Sequence, residues 1–354
     1  MASGHFICNF WPMVRSHQVI LMVLGFLAFG LVMVYDASSA QALQSFNDKY
    51  YFFKEQAKWI ILGLVAGGFA YFFDYRKLRK LALPVLVVTI FLLVAVFLPG
   101  IGVRAYGAHR WINLGITTFQ PSELAKLSLV IYLAAWLTTK EKGRLLSFLL
   151  LVGLLVGLVI LEPDMGTAII LFGTAMSIYF LSDSELLGLV YLFPIVTVGA
   201  IGLALKSEYR LKRVLTFFDS NADPLGASYH VRQVLIALGS GGLFGLGLGN
   251  SRQKYSYLPE ATTDSIFAII GEELGLIGGA VLIFLYGLFI FRCIRLTLGV
   301  KDQFGKLLGM GIISWLAFQV IVNLASMVVL VPLTGVPLPF ISYGGSALVV
   351  ELIG

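Results

Sequence analysis

LLSFLLLVGLLVGLVILEPDMG, Leu145 to Gly166, settles the class of this chain. No charge interrupts Leu145 to Leu161, and a helix of that length rises about 25 Å, close to the apolar thickness of a bilayer. Glu162, Pro163 and Asp164 then form a turn, because proline and aspartate suit tight turns. A second apolar block follows at 166–181. Two bilayer-length runs joined by a short turn describe a hairpin of membrane spans.

The same pattern extends along the chain. Of 354 residues, 58% are hydrophobic and only 12% are charged. A soluble domain carries about a quarter charged residues. Further apolar blocks fall at 19–35, 57–73, 81–98, 121–139, 186–205, 265–291 and 307–331. A tenth opens near Ser346 and is incomplete at Gly354. The chain reads as an all-α polytopic membrane protein, a single membrane domain over 1–354 with about ten transmembrane helices. The first block ends in ASSAQA, Ala37 to Ala42, which resembles a signal cleavage site. It is longer than a signal core and other spans follow, so it is read as a span.

Lysine and arginine orient the bundle. DYRKLRK (Asp74–Lys80), KEKGR (Lys140–Arg144) and the stretch Arg292–Lys306 share one side with the amino terminus, the cytoplasmic side. Lys206–Asp264 then becomes a large extracytoplasmic loop between the seventh and eighth spans, with a basic cluster in KSEYRLKR, Lys206 to Arg213. Within it, Val231, Val234, Leu235 and Leu238 line one face of a short interfacial helix. The glycine-rich GSGGLFGLGLG that follows, Gly239 to Gly249, has no Lys-Ser/Thr ending and is not a nucleotide cradle. Cys8 and Cys293 form no disulfide framework, and the four histidines form no paired metal motif.

Charges at the edges of spans carry the functional signal. In LPEATTDSIFAIIGEELG, Leu258 to Gly275, Glu260 and Asp264 stand at the outer edge of the eighth span. Glu272 and Glu273 lie deeper and are expected to partner cations in the bundle. An acid beside a helix amino terminus also suits the helix dipole, so capping is the plainer alternative for Asp264. Glu123 and Lys126, three apart in the fourth span, can form an ion pair or face a ligand. Arg104 and Arg110 precede them in an outer loop, and Arg210 and Arg213 belong to the outer basic cluster. PLTGVPLPFISYGGSA, Pro332 to Ala347, has too many prolines and glycines for a regular helix. Such backbone persists at membrane depth only where protein buries it or it lines a cavity, which makes Ser342 and Tyr343 candidates for a cavity facing the acids. Gly63/Gly67 and Gly153/Gly157 are possible helix-contact positions.

These stretches together resemble the SEDS family of shape, elongation, division and sporulation proteins, FtsW, RodA and SpoVE. The resemblance runs in order through HRWINLG, FQPSELAK, EPDMGTA, RQVLIALGSGG, LPEATTDSIFAIIGEELG and TGVPLPFISYGGS. RVLTFFD, DPLGASYHVRQ and GNSRQKYSYLPEA look closer to the division and sporulation branch. The resemblance implies a peptidoglycan glycosyltransferase of ten spans that polymerises lipid II outside the cytoplasm. It places the family's essential aspartate at Asp264 and its fourth-span pair at Glu123 and Lys126. Lys126, Arg104, Arg110, Arg210 and Arg213 become candidates to bind the substrate diphosphate, with Glu260 and Ser342 also at the substrate. A divalent cation, Mg or Mn, is compatible with such chemistry, but no dedicated site is visible. A class B penicillin-binding transpeptidase and other divisome or elongasome membrane proteins are the expected partners; nucleic acid is not. The expected location is the bacterial cytoplasmic membrane. The chain departs from the family pattern at Thr262, where His is usual, at Ser265 for Phe, and at His109 for Arg. A lipid II flippase would share these features and stands as the alternative.

Overall fold

The computed structural model describes residues 5–105, 108–113, 115, 117–139, 143–182, 227–255 and 257–354. Numbered along those residues, the helices are α1 (His5–Phe46), α2 (Tyr51–Phe72), α3 (Leu78–Ala95), α4 (Pro121–Leu137), α5 (Leu145–Leu161), α6 (Met165–Leu181), α7 (Ala227–Gly241), α8 (Ile266–Thr297), α9 (Gln303–Met327) and α10 (Gly345–Ile353). Each span expected within the described residues is occupied by a helix. The seventh, at 186–205, and the basic cluster with Arg210 and Arg213 lie outside them.

The stretch 17–46 of α1, the stretch 75–95 ending in α3, and α8 and α9 are long and apolar enough to cross a bilayer; α5 and α6 are apolar but shorter. Large apolar side chains such as Phe69, Phe72, Phe91, Leu146 and Leu150 stand open on the outside of the bundle. In water such a surface would collapse; against lipid it is at rest. The chain is an integral membrane protein. Inside, one continuous core joins buried side chains from α1 through α10. Gly63 and Gly67 of α2 do meet Leu352 of α10, whereas Gly153 and Gly157 face open space.

Three features depart from a plain helical bundle. The loop before α4 folds as a small antiparallel sheet, β1 (Gly102–Ala105), β2 (Ala108–Asn113) and β3 (Thr118–Phe119), in the order β1-β2-β3. Val103 pairs with Trp111 and Ile112 with Phe119, the branched and aromatic residues that suit strands. The all-helical reading missed it because the strands are too short to show alternation.

The second departure is in α8, which the sequence presents as one apolar block, 265–291, with Glu272 and Glu273 inside it. Gly275 interrupts it with φ +68° and ψ −170°. A side chain there would meet Gly245 N at 2.4 Å and Leu243 O at 2.5 Å. The glycine-rich loop after α7 closes onto this break. Leu246 N and Gly247 N donate to the carbonyls of Glu272 and Glu273, and Leu276 N and Ile277 N donate to Gly242 and Leu243. The broken helix and the loop thus satisfy each other's backbone groups.

The third is the segment 328–344 between α9 and α10, non-helical as its prolines and glycines require. Val336, Leu338, Phe340, Ile341 and Ser342 are buried in protein, the condition under which irregular backbone survives in a membrane.

Candidate functional site

Asp264 lies one residue before Ser265, the N-cap of α8, and Ser265 makes no side-chain capping bond. Its surroundings show how firmly it is placed. Three successive carbonyls are held from outside the loop. Tyr343 N donates to Thr262 O at 2.8 Å. The Ser342 hydroxyl donates to Thr263 O at 2.5 Å. The Asn323 amide, from the last turns of α9, donates to Asp264 O at 2.8 Å. The same amide group reaches Val336 O, also at 2.8 Å, so α9 ties the loop and the irregular segment together. A backbone fixed by three hydrogen bonds leaves the Asp264 carboxylate little freedom, the preorganisation that acid–base chemistry needs.

Around the carboxylate, Thr263 Oγ1 stands 2.9 Å from Glu260 Oε2 and 3.3 Å from Asp264 Oδ1. The hydroxyl thus stands between the two acids, with Glu260 O also within reach at 3.2 Å. Glu260 holds a left-handed φ of +51°, which turns the chain back toward Asp264. On the other flank, a side chain at Gly335 would stand 3.9 Å from Asp264 Oδ2, so the irregular segment passes beside the acid. That segment also packs on the start of α6, where a side chain at Gly166 would meet Val336 and Thr334.

The Glu162–Asp164 turn joins the site there. Asp164 caps α6 through Thr167 N at 3.0 Å and Thr167 Oγ1 at 2.8 Å, and accepts from Gln120 at 3.3 Å. Arg110, on β2, donates to Glu162 O at 3.0 Å and Pro163 O at 2.5 Å. The hairpin is thereby pinned to the turn by the guanidinium expected to meet substrate. The Glu162 carboxyl is buried with neither oxygen hydrogen-bonded. Burial, with the neighbouring Asp164 charge, pushes it up to about 9 against the pull of Arg110. It holds its proton at neutral pH.

The fourth-span pair lies deeper. Lys126 Nζ is 2.7 Å from Glu123 Oε2, and both side chains are buried. Lys126 also donates to Gln319 Oε1 at 2.9 Å and lies over the Trp315 ring. Gln319 passes the contact on, to Pro337 O at 3.1 Å and to Glu351 Oε1 at 2.7 Å. Glu351 Oε2 accepts from Phe340 N at 3.0 Å. The sequence reading offered Lys126 to the substrate diphosphate. The structure encloses its ammonium among Glu123, Gln319 and Trp315, and the pair braces the irregular segment from below.

The other expected residues separate in the same way. The Ser342 hydroxyl accepts from Leu338 N at 2.8 Å besides donating to Thr263, so it latches backbone rather than lining an open cavity. Glu273 pairs with Lys254 at 3.1 Å, the cation partner expected of it. Among the described residues Glu272 meets no cation; it collects Ser251 Oγ, Arg252 N and Gln253 N. Arg104 is placed on β1 opposite His109. Among the described residues, no group of three His, Cys, Asp or Glu side chains could hold a metal ion.

Four participants went unread in the sequence. Asn323 and Gln319 sit one turn apart in an apolar span, Glu351 stands alone in the last block, and polar groups in such places were the available signal. His230, on α7, places Nε2 2.7 Å from the Ser265 hydroxyl, beside Asp264.

Residues 16–354 match the family model described as cell cycle protein, covering FtsW, RodA and SpoVE. This chain belongs to that family. Stage V sporulation protein E of Bacillus subtilis (strain 168) is 39% identical over 341 residues, covering 95% of this chain and 93% of that protein. The probable peptidoglycan glycosyltransferase FtsW of Geobacter sp. (strain M18) is 38% identical over 341 residues, 94% of this chain and 93% of that one. Among solved structures, a chain from a peptidoglycan synthase complex that coordinates polymerization and crosslinking superposes with a TM-score of 0.77 at 29% identity, covering 95% of this chain and 94% of that chain. The rod shape determining protein RodA of Thermus thermophilus superposes at 0.69 and 29%, covering 95% and 92%. In this FtsW/RodA/SpoVE family member the candidate site is therefore Asp264, framed by the irregular segment, the acidic turn and α7.

Proposed function

We propose that this chain is a peptidoglycan glycosyltransferase that polymerises lipid II at the outer face of the bacterial cytoplasmic membrane, with Asp264 as general base. The observation that carries this is the triple clamp on Thr262, Thr263 and Asp264, which holds one acid at the start of α8. The relatives' names point to the same chemistry.

Polymerisation joins a sugar 4-hydroxyl to an anomeric carbon whose leaving group is a lipid diphosphate. The hydroxyl proton passes to Asp264 as the new C–O bond forms with inversion and the anomeric C–O bond to the diphosphate breaks. Cations stabilise the departing charge. Arg110, which holds the Glu162 and Pro163 carbonyls of the acidic turn, is a candidate for this, with Arg104, Arg210 and Arg213 as further candidates. Glu260 and Thr263 stand beside the base and suit the attacking sugar. Ser342 acts through the backbone it holds, and Lys126 through Gln319, which holds Pro337 O. A carboxylate-bound divalent cation would add charge neutralisation at the diphosphate, but the described side chains build no cage for one, and no step depends on it. The likeness to a synthase complex supports a class B penicillin-binding transpeptidase as partner, within divisome or elongasome assemblies.

A flippase would need its charged groups free along a path through the membrane. The deep charges here, Glu123, Lys126 and Glu351, are engaged with one another's neighbours, which favours the enzyme. The test is polymerisation of labelled lipid II by the purified protein with its transpeptidase partner, beside Asp264→Ala. Polymer from wild type alone supports the assignment. Equal polymer from both removes Asp264 from the chemistry, and none from either returns the flippase.

A further inference from the structure

We infer that Lys254 is a positioning residue for the Asp264 loop, and that it fastens that loop to the outer half of α1. This rests on Asp264 being the base proposed above.

The Lys254 ammonium is buried where three elements meet. It lies 2.8 Å from Asp36 Oδ1 on α1, 3.1 Å from Glu273 Oε1 on α8 and 2.7 Å from Gly249 O in the glycine-rich loop. Three donors thus have three acceptors, and the geometry is saturated. Glu273 is held in turn by Gly249 N and Ser251 N, both at 3.0 Å. Directly after Lys254 the chain turns, with Leu258 N donating to Gln253 O at 3.0 Å, and enters Glu260 to Asp264. The start of the base loop is therefore set by where this ammonium sits.

α1 also reaches the other side of the site. Gly30 is six positions before Asp36, about 9 Å along the helix. A side chain at Gly30 would stand 2.7 Å from Ile341 Cα, so α1 presses directly on the irregular segment. Ile341 adjoins Ser342, whose hydroxyl holds Thr263 O. One helix thus touches the approach to Asp264 through Lys254 and its backing through Gly30. A shift of α1 changes both at once, and a displacement of about 1 Å at a catalytic group costs up to about a hundredfold in rate.

A brace alone would alter stability and leave turnover of the folded protein unchanged. The test is steady-state polymerisation of lipid II by the purified full chain with its transpeptidase partner, with thermal unfolding in parallel. The variants are Lys254→Met, Lys254→Arg, Asp36→Ala and the Asp36→Ala/Lys254→Met double. Lys254→Met should lower kcat about tenfold or more with KM within about twofold. Lys254→Arg should recover most of the loss. Asp36→Ala should show a smaller fall in kcat, and the double should be no slower than Lys254→Met. Folded Lys254→Met with wild-type kcat, a loss in KM alone, or single effects that multiply in the double would each overturn the inference. If Lys254→Met cannot be recovered folded, Asp36→Ala decides, and wild-type kcat there overturns it. Asp264→Ala in the same series separates the two proposals: wild-type activity in that variant refutes the base itself, whatever Lys254 does.

Discussion

Gln319 joins Lys126 to Glu351: its amide oxygen accepts from the ammonium at 2.9 Å, and its amide nitrogen donates to the carboxylate at 2.7 Å. One neutral side chain thereby links a buried cation to a buried acid and also holds Pro337 O. The irregular segment that frames Asp264 rests on this link.

Removing the cation alone should be severe. Lys126→Met leaves Glu123 and Glu351 buried without a positive partner, and breaking such a pair costs about 3–5 kcal/mol. The Glu123→Gln/Lys126→Met double should recover much of that loss, because the carboxylate that Lys126 pairs is then neutral and only Glu351, held by Gln319 and Phe340 N, stays without the cation. Thermal unfolding of the purified variants checks this, and a double less stable than the single would refute it.

Asn323 should matter to rate more than its depth suggests. Asn323→Leu strips the hydrogen bond from Asp264 O and from Val336 O, leaving two buried carbonyls bare at about 1–3 kcal/mol each. The expected result is a folded but less stable protein with kcat down about tenfold. Unchanged kcat in lipid II polymerisation would show that the Asp264 clamp does not need α9.

Glu162 gives a pH signature. Its folded value of about 9 lies above the ordinary 4.5, so the fold keeps a proton that the unfolded chain releases. Its contribution therefore favours folding below pH 4.5 and is lost progressively as pH rises toward 9. Glu162→Gln has no such proton. Melting temperatures of wild type and variant should agree in acid and diverge at alkaline pH, with the variant the more stable. Parallel profiles across that range would contradict the assignment.

Gly275→Ala should uncouple the glycine-rich loop from α8. A methyl group there meets backbone at 2.4 and 2.5 Å and sits at φ +68°, so neither crowding nor strain can be relieved by a side-chain rotation. A loss of about 2 kcal/mol or more is expected. Faster amide hydrogen exchange at Leu246 and Gly247 would report the freed loop, and wild-type protection would count against it.

The membrane class and nearly every described span were legible because lipid imposes one demand, long apolar runs, which composition displays directly. Asp264 and the Glu123–Lys126 pair stood out for the same reason, as charges in a greasy background. What those side chains touch was not legible. Lys126 finds Gln319 and Lys254 finds Asp36 across 193 and 218 positions of chain, and no local pattern encodes such distances. The hairpin around Arg110 was hidden by its brevity. The break at Gly275 was hidden because one glycine in an apolar run signals equally a kink or a close helix contact.

That break also divides α8 by what surrounds it. From Ile266 to Glu273 every residue is buried in protein, whereas beyond it Leu276, Ile277, Val281 and Phe284 face outward and only a stripe through Gly279, Leu282, Tyr286 and Phe289 turns inward. The lower portion is the part of α8 that lipid touches, and the non-helical joint, bonded into the glycine-rich loop, stands between it and Asp264. Such a joint works as a mechanical isolator, and turnover should stay nearly level in bilayers of differing acyl-chain length. A steep dependence on chain length in reconstituted vesicles would mean that the strain passes through to the acid.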